Sequence, residues 1–188
     1  MQNTIILKSL DSLKQRLSKA NNKLNLQNEQ GNTSTVTCSF NSPVEQREIK
    51  SFENNTEWTL PIDYKIFLQQ HNGARIFEML LEGDINIGGG ISIFSLNEIE
   101  VTHSNLQLPK DVYPIAHVHE NYLVVDNSKA RSNSPDYLLL GDDILDLHPL
   151  HSNFEIFLDR YIVSQGSSFW RWNMYTAAEY YKINTTEN

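Results

Sequence analysis

The chain has 188 residues, with 15 basic against 23 acidic side chains, a formal charge of −8, a pI near 5.2 and a mean hydropathy of −0.44. That length suits one domain with a self-sufficient core, and the acidic balance excludes the basic stripe with which a nucleic-acid binder neutralises phosphates. One cysteine makes no internal disulfide, and no apolar run approaches the length of a membrane span.

At the N-terminus, Ile5-Ile6-Leu7 is interrupted at once by Lys8, so no signal peptide is expected and a cytoplasmic location is. Ile6, Leu10, Leu13 and Leu17 recur at helical spacing, which predicts an amphipathic helix over residues 4–20 with Thr4 as N-cap. Residues 21–34 turn to Asn, Gln, Gly and Thr, a polar linker or mobile hairpin, and Val36–Phe40 alternates as a short strand. Ser42-Pro43-Val44-Glu45 is a capping-box pattern with proline at the first helical position, predicting a helix through Ile49 and Phe52. A second helix is written with both ends. Leu60-Pro61 opens it, Tyr64, Phe67, Leu68 and His71 share a face, and Asn72-Gly73 supplies a left-handed C-cap.

Beyond Gly73 the period falls to two. Strands are expected over residues 74–80, 83–87 and 91–94, with Gly88-Gly89-Gly90 as a tight reversal between the last two. Ser95-Leu96-Asn97-Glu98 reads as a capping box for a short helix toward Ser104. Further strands are predicted at 114–118, 122–125, 137–140 and 144–147. Ser152-Asn153-Phe154-Glu155 then caps a helix with Phe154, Phe157, Leu158, Tyr161 and Ile162 on one face, stopping at Gly166. Thr176-Ala177-Ala178-Glu179 looks like a box for a last short helix. Helices first, antiparallel strands in the middle and a helix after them is α+β grammar.

The string L-P-x-D-Y-x-x-F-L-x-x-x-N-G over residues 60–73 resembles the signature of the SUKH superfamily, named for the yeast Smi/Knr cell-wall-synthesis regulators. Three other segments agree, in the family's order. Arg47–Glu53 is similar to the family's "x-x-E-I-x-x-F-E" helix. Tyr113–Ala116 with Asn121–Asp126 is similar to its "P-I-A … (D)-Y-L-x-x-D" hairpin. Asn153–Ile162 is similar to its closing "x-F-x-x-F-L-x-x-x-I" helix. His117-Val118-His119-Glu120 departs from the family's Asp/Gly-rich turn. The resemblance implies a mixed, mainly antiparallel sheet of about six strands flanked by about four helices. A single domain over residues 1–188 is expected, with a family core at about 43–163, an N-terminal helical arm at 1–34 and an aromatic tail at 167–188.

Little in the chain reads as chemistry. His117-x-His119 places two imidazoles two apart, with Glu120, His148 or His151 as further ligands, but a solvated pair in a hairpin turn is the preferred reading over a metal site. Gly88-Gly89-Gly90 precedes another strand and lacks a nearby lysine, so a turn is preferred over a phosphate loop. Cys38 has no neighbouring histidine, and Asp142, Asp143 and Asp146 read as an acidic turn more readily than as acid/base catalysts. No catalytic residue, metal or cofactor is assigned.

The bacterial members of the family the chain resembles are mostly immunity proteins against polymorphic toxins. That resemblance implies a non-enzymatic protein binding a cognate toxin, a basic nuclease by charge, with neither nucleic acid nor membrane as a direct partner. A housekeeping regulator like the yeast namesakes is the alternative. The candidate contact residues are Glu82 and Asp84 in one turn, Asp142, Asp143 and Asp146 in another, and Trp170 and Trp172 in the aromatic tail, where packing into the core competes with an interface role.

Overall fold

The computed structural model describes residues 5–27, 31–82, 84–141 and 146–174. Helix α1 (Ile5–Lys19) buries Ile6, Leu10, Leu13 and Leu17, the predicted face. Strands β1 (Leu24–Gln27) and β2 (Thr33–Phe40) form an antiparallel hairpin, the second of the two alternatives for residues 21–34, and β2 contains the predicted Val36–Phe40 strand. Next come α2 (Gln46–Thr56), α3 (Ile62–Leu68), β3 (Ala74–Leu81), β4 (Ile85–Gly88), β5 (Ile91–Ile93) and α4 (Leu96–Leu106). The hairpin of β6 (Val112–Val118) and β7 (Asn121–Asp126) leads to α5 (Asn127–Arg131), β8 (Leu138–Gly141), β9 (His148–Pro149), α6 (Phe154–Val163) and a 3₁₀ helix (Phe169–Met174). The α+β class is as the sequence predicts. The Thr176–Glu179 box and the Thr4 cap lie outside the described residues.

One antiparallel sheet runs in the order β1-β2-β3-β5-β6-β7-β8-β9, with β4 paired to β3 off that path. Nine strands replace the expected six or so, and six α-helices the expected four, among the described residues. The additions to the family's pattern are β1, β4 and β9 at the sheet's edges, with helix α1 and the five-residue α5; periodicity declared α1 and β4, whereas β1, β9 and α5 are too brief for it. Residues 144–145 lie outside the described residues, Asp146 and Leu147 are not strand, and His148–Pro149 pairs with β8 instead. Helices α1, α3 and α6 pack on one another. Between them and the sheet lie Tyr64, Phe67 and Phe154, all fully buried, with Phe154 edge-on to both of the other rings.

Two helix ends differ from the sequence reading. Ser42 is not an N-cap: α2 starts at Gln46, with Glu45 as cap and Glu48 closing the box. The cause is tertiary, because the Val44 N–H donates to the Leu68 carbonyl at 3.1 Å and Val44 is buried, so the residues before Glu45 stay outside the helix. Helix α3 ends at Leu68, a turn before Asn72-Gly73. The Asn72 N–H donates to Ser42 O (3.0 Å) and its Oδ1 accepts from the Leu96 N–H (3.0 Å), so this asparagine ties three segments together. Gly73 does have positive φ (+95°), and a Cβ there would lie 3.0 Å from the Ser95 nitrogen and 3.1 Å from Ile93 O. Its glycine serves a close strand approach rather than a cap.

The triple glycine is not a reversal between β4 and β5. Both strands pair with β3: Ile91–Ile93 with Ala74–Ile76, and Ile85–Gly88 with Met79–Leu81. They therefore follow one another along a single edge of β3, and Gly88–Gly90 carry the chain between them. At that point β3 bulges, since its pairing to β2 jumps from Glu78 to Ile76. The residue left over, Phe77, has φ of +65° and is buried.

Candidate functional site

The signature residues act on the protein itself. Pro61 occupies the N-cap of α3 with Leu60 buried before it, and Tyr64, Phe67 and Leu68 are fully buried. The Tyr64 hydroxyl donates to Phe94 O at 2.6 Å. Burial holds that phenol well above its usual pKa. Asp63, only 9% exposed, accepts the Tyr137 hydroxyl at 2.6 and 2.7 Å and the N–H groups of Tyr64 and Glu155, both at 3.0 Å. The Tyr137 oxygen in turn accepts the Phe154 N–H at 2.8 Å. Asp63 and Tyr137 thus receive two of the free N–H groups at the start of α6.

The other motif acids behave alike. Glu53 accepts from the Leu60 N–H and from Lys65 Nζ, both at 2.8 Å, while Ile49 and Phe52 are buried. Asp126 caps α5 through the N–H groups of Ser128 and Lys129, and although partial burial pushes its carboxyl up, the Ser128 hydroxyl and these two N–H groups outweigh this and hold it below the usual range. Buried Asn127 accepts the Thr59 N–H at 2.9 Å. Beside this seam an open cleft of about 640 Å³ is lined by Glu53, Trp58, Lys65 and Arg131.

Glu98 completes the predicted Ser95 capping box and binds Arg75. Partial burial pushes its carboxyl up, but hydrogen bonds from Ser95 and Arg75 outweigh this and hold it below the usual carboxylate range. A carboxylate with a depressed folded-state pKa contributes stability above the unfolded value, and that contribution is lost as pH falls through the folded one. Glu98→Gln should therefore melt below wild type at neutral pH, with the gap closing below about pH 4. Parallel thermal scans from pH 3 to 7 measure this, and a gap that stays constant with pH contradicts it.

The histidines diverge. The His117 ring sits 4.9 Å from that of Tyr122, whereas His119, in the turn with φ of +53°, donates from Nε2 to Gly166 O at 3.0 Å and faces Trp170. Burial lowers the pKa of His117, with His119 adding to the effect. His148 pairs with Asp146 at 2.9 Å. Among the described residues no three His, Cys, Asp or Glu side chains gather as metal ligands. Cys38 is half-buried, accepts from the Phe77 N–H, and its thiol is pushed up to about 11 chiefly by burial. A thiol that stays protonated at neutral pH is a poor nucleophile.

The candidate contact residues separate into several places. Glu82 and Asp84 sit at the β3–β4 turn, where Glu82 is exposed and Asp84 pairs with Lys23 at 2.7 Å. Asp142 and Asp143 lie outside the described residues, and Asp146 is exposed before β9. The tail divides. Trp170 stacks on Phe157 at 5.5 Å and Phe169 packs beside it, whereas Trp172 is 52% exposed. Sequence reasoning missed a further feature. Met79, Leu81, Ile85 and Ile87 are all 40% exposed or more, on the one hairpin that carries Glu82 and Asp84. The alternation was visible, but not that none of the described residues covers one side of the hairpin.

Comparison with known proteins agrees with this architecture. The chain is 45% identical over 138 residues to the uncharacterized protein YobM of Bacillus subtilis (strain 168), spanning 72% of this chain and 74% of that protein. It is 33% identical over 150 residues to the uncharacterized protein YnaB of the same organism, spanning 79% of this chain and 96% of that protein. No helix among the described residues is long and apolar enough to cross a membrane. The model of the SMI1 / KNR4 family (SUKH-1) matches residues 43–160, the span in which Glu53, Asp63, Tyr64, Asn72 and Asp126 hold the fold together, and the chain belongs to that family.

Proposed function

We propose that the protein is a non-enzymatic immunity protein that binds and neutralises a cognate polymorphic toxin domain, a basic nuclease. The observation that carries this reading is membership of the SMI1 / KNR4 family over residues 43–160, whose bacterial members are mostly of this kind. The structure supports it in one respect: the signature residues bond internally, so recognition falls to the surface outside the motif, on turns held by a rigid scaffold. The formal charge of −8 suits a basic partner, because complementary charge speeds encounter.

The test is neutralisation. Co-expression with a toxin domain encoded beside this gene should restore growth of a sensitive host, and the purified pair should bind with 1:1 stoichiometry in calorimetry. Growth arrest despite expression, with no heat of binding, overturns the reading. Electrostatic steering gives a second expectation. Glu82→Lys should slow association several-fold at low salt, with the difference fading as ionic strength shortens the screening length to about 8 Å. Stopped-flow rates across a salt series measure this, and a salt-independent ratio argues against charge steering at the β3–β4 turn.

A further inference from the structure

Four of the nine exposed large apolar side chains among the described residues lie in the β3–β4 hairpin, at 40% (Met79), 56% (Leu81), 60% (Ile85) and 50% (Ile87). The other five are scattered singly over separate elements, as is ordinary for a protein surface. The four form one row. Leu81 pairs directly with Ile85, Met79 stands two before Leu81, and a bulge sets Ile87 and Gly88 together opposite Met79. Met79 also pairs with buried Val36, which pairs with buried Leu24, so the row continues the core-facing side of the sheet into solvent.

Among the described residues strand β4 pairs with β3 alone, so its other side is a sheet edge there. Edge strands are normally guarded by lysine, proline or inward charge. Ile85-Asn86-Ile87-Gly88 has none of these, and its guards are only its four-residue length and the bulge opposite Met79. Acids surround the edge instead: Glu82 exposed at the turn, Asp84 shared with Lys23, and Glu78 on β3.

We infer that the outer edge of β4 with its apolar row is the docking edge for an extended segment of a basic protein, which joins the sheet as an added strand. Main-chain hydrogen bonds would hold the segment, alternate apolar side chains would pack beside Ile85 and Ile87 and extend the row begun by Met79 and Leu81, and lysine or arginine between them would meet the acids. Charge selects this occupant over a second copy of the chain, since two copies, each −8 overall, would repel and would set Glu82 against like charge. The inference rests on the immunity reading for the partner's identity, though not for its chemistry.

The probe is a fluorescein-labelled peptide of alternating lysine and valine, with a glutamate–valine peptide as its counterpart, titrated into the full chain and read by anisotropy. Saturable binding of the lysine peptide alone is expected, with slowed amide exchange at Ile85–Gly88. Ile85→Thr/Ile87→Thr, which keeps strand propensity, should weaken binding about tenfold without changing the melting temperature. Val163→Thr, at an exposed position on α6, should leave binding unchanged. Equal binding by the double variant, equal binding of the glutamate peptide, or a wild-type dimer that the double variant dissolves would each overturn the proposal. If the chain neutralises its toxin and the double variant does so equally well, the docking edge fails and the immunity reading stands. If it neutralises none yet binds the lysine peptide through β4, the immunity reading fails and the edge stands.

Discussion

Asp63→Ala should destabilise the protein by roughly 4 kcal/mol, because it leaves several buried donors without an acceptor at once. The carboxylate receives the Tyr137 hydroxyl, the Glu155 N–H at the start of α6 and the Tyr64 N–H within its own helix. Each orphaned buried donor costs about 1–3 kcal/mol, and water reaches a residue that is 9% exposed only poorly. Asp63→Asn keeps one acceptor oxygen and should recover about half of the loss. Tyr137→Phe removes the hydroxyl that links Asp63 to the Phe154 N–H and should cost about 2 kcal/mol. Urea unfolding of the three variants gives the order directly. A loss below about 1 kcal/mol for Asp63→Ala would mean that α6 is held by its apolar face alone.

This centre explains why the signature reads as it does, and also why its role was hidden. Periodicity reveals a helix's buried face, so Ile6, Leu10, Leu13 and Leu17 in α1 and Phe154, Phe157, Leu158, Tyr161 and Ile162 in α6 were legible from spacing alone. So was the Ser95–Glu98 box, whose partners are three residues apart. Asp63 and Tyr137 are 74 residues apart, and no local pattern announces that an aspartate on one helix and a distant tyrosine together receive the first two N–H groups of another. Tertiary bonds likewise moved the start of α2, where Val44 is drawn to Leu68, and shortened α3, where Asn72 turns to Ser42 and Leu96. Charge counting picked out Glu82 and Asp84 but gave no sign that Lys23 already neutralises Asp84, nor that the hairpin bearing them shows an apolar row left exposed among the described residues.

The triple glycine is the sharpest case, because three like residues in a row have unlike roles. All three have positive φ, so an alanine at any of them meets the left-handed penalty of about 1–2 kcal/mol. Gly88 has open space around the position of a Cβ, and Gly89 would meet only the flexible end of Met79 at 3.5 Å. At Gly90 the same atom would lie 2.2 Å from Ile76 O and 2.7 Å from Phe77 O. Those are backbone atoms of the bulge in β3, held by pairing to β2 and β5, and no rotamer change relieves the clash. Gly90→Ala should therefore cost about 4 kcal/mol or more, against roughly 1–2 for Gly88→Ala. Side-by-side denaturant unfolding measures the difference. Amide exchange should show the extra loss at Ala74–Ile76 and Ile91–Ile93, where β3 and β5 must part for the alanine to fit. Equal costs at the two positions would mean that the bulge yields easily, and the hairpin bearing Met79, Leu81, Ile85 and Ile87 would then hinge on Gly90 rather than stand fixed by it.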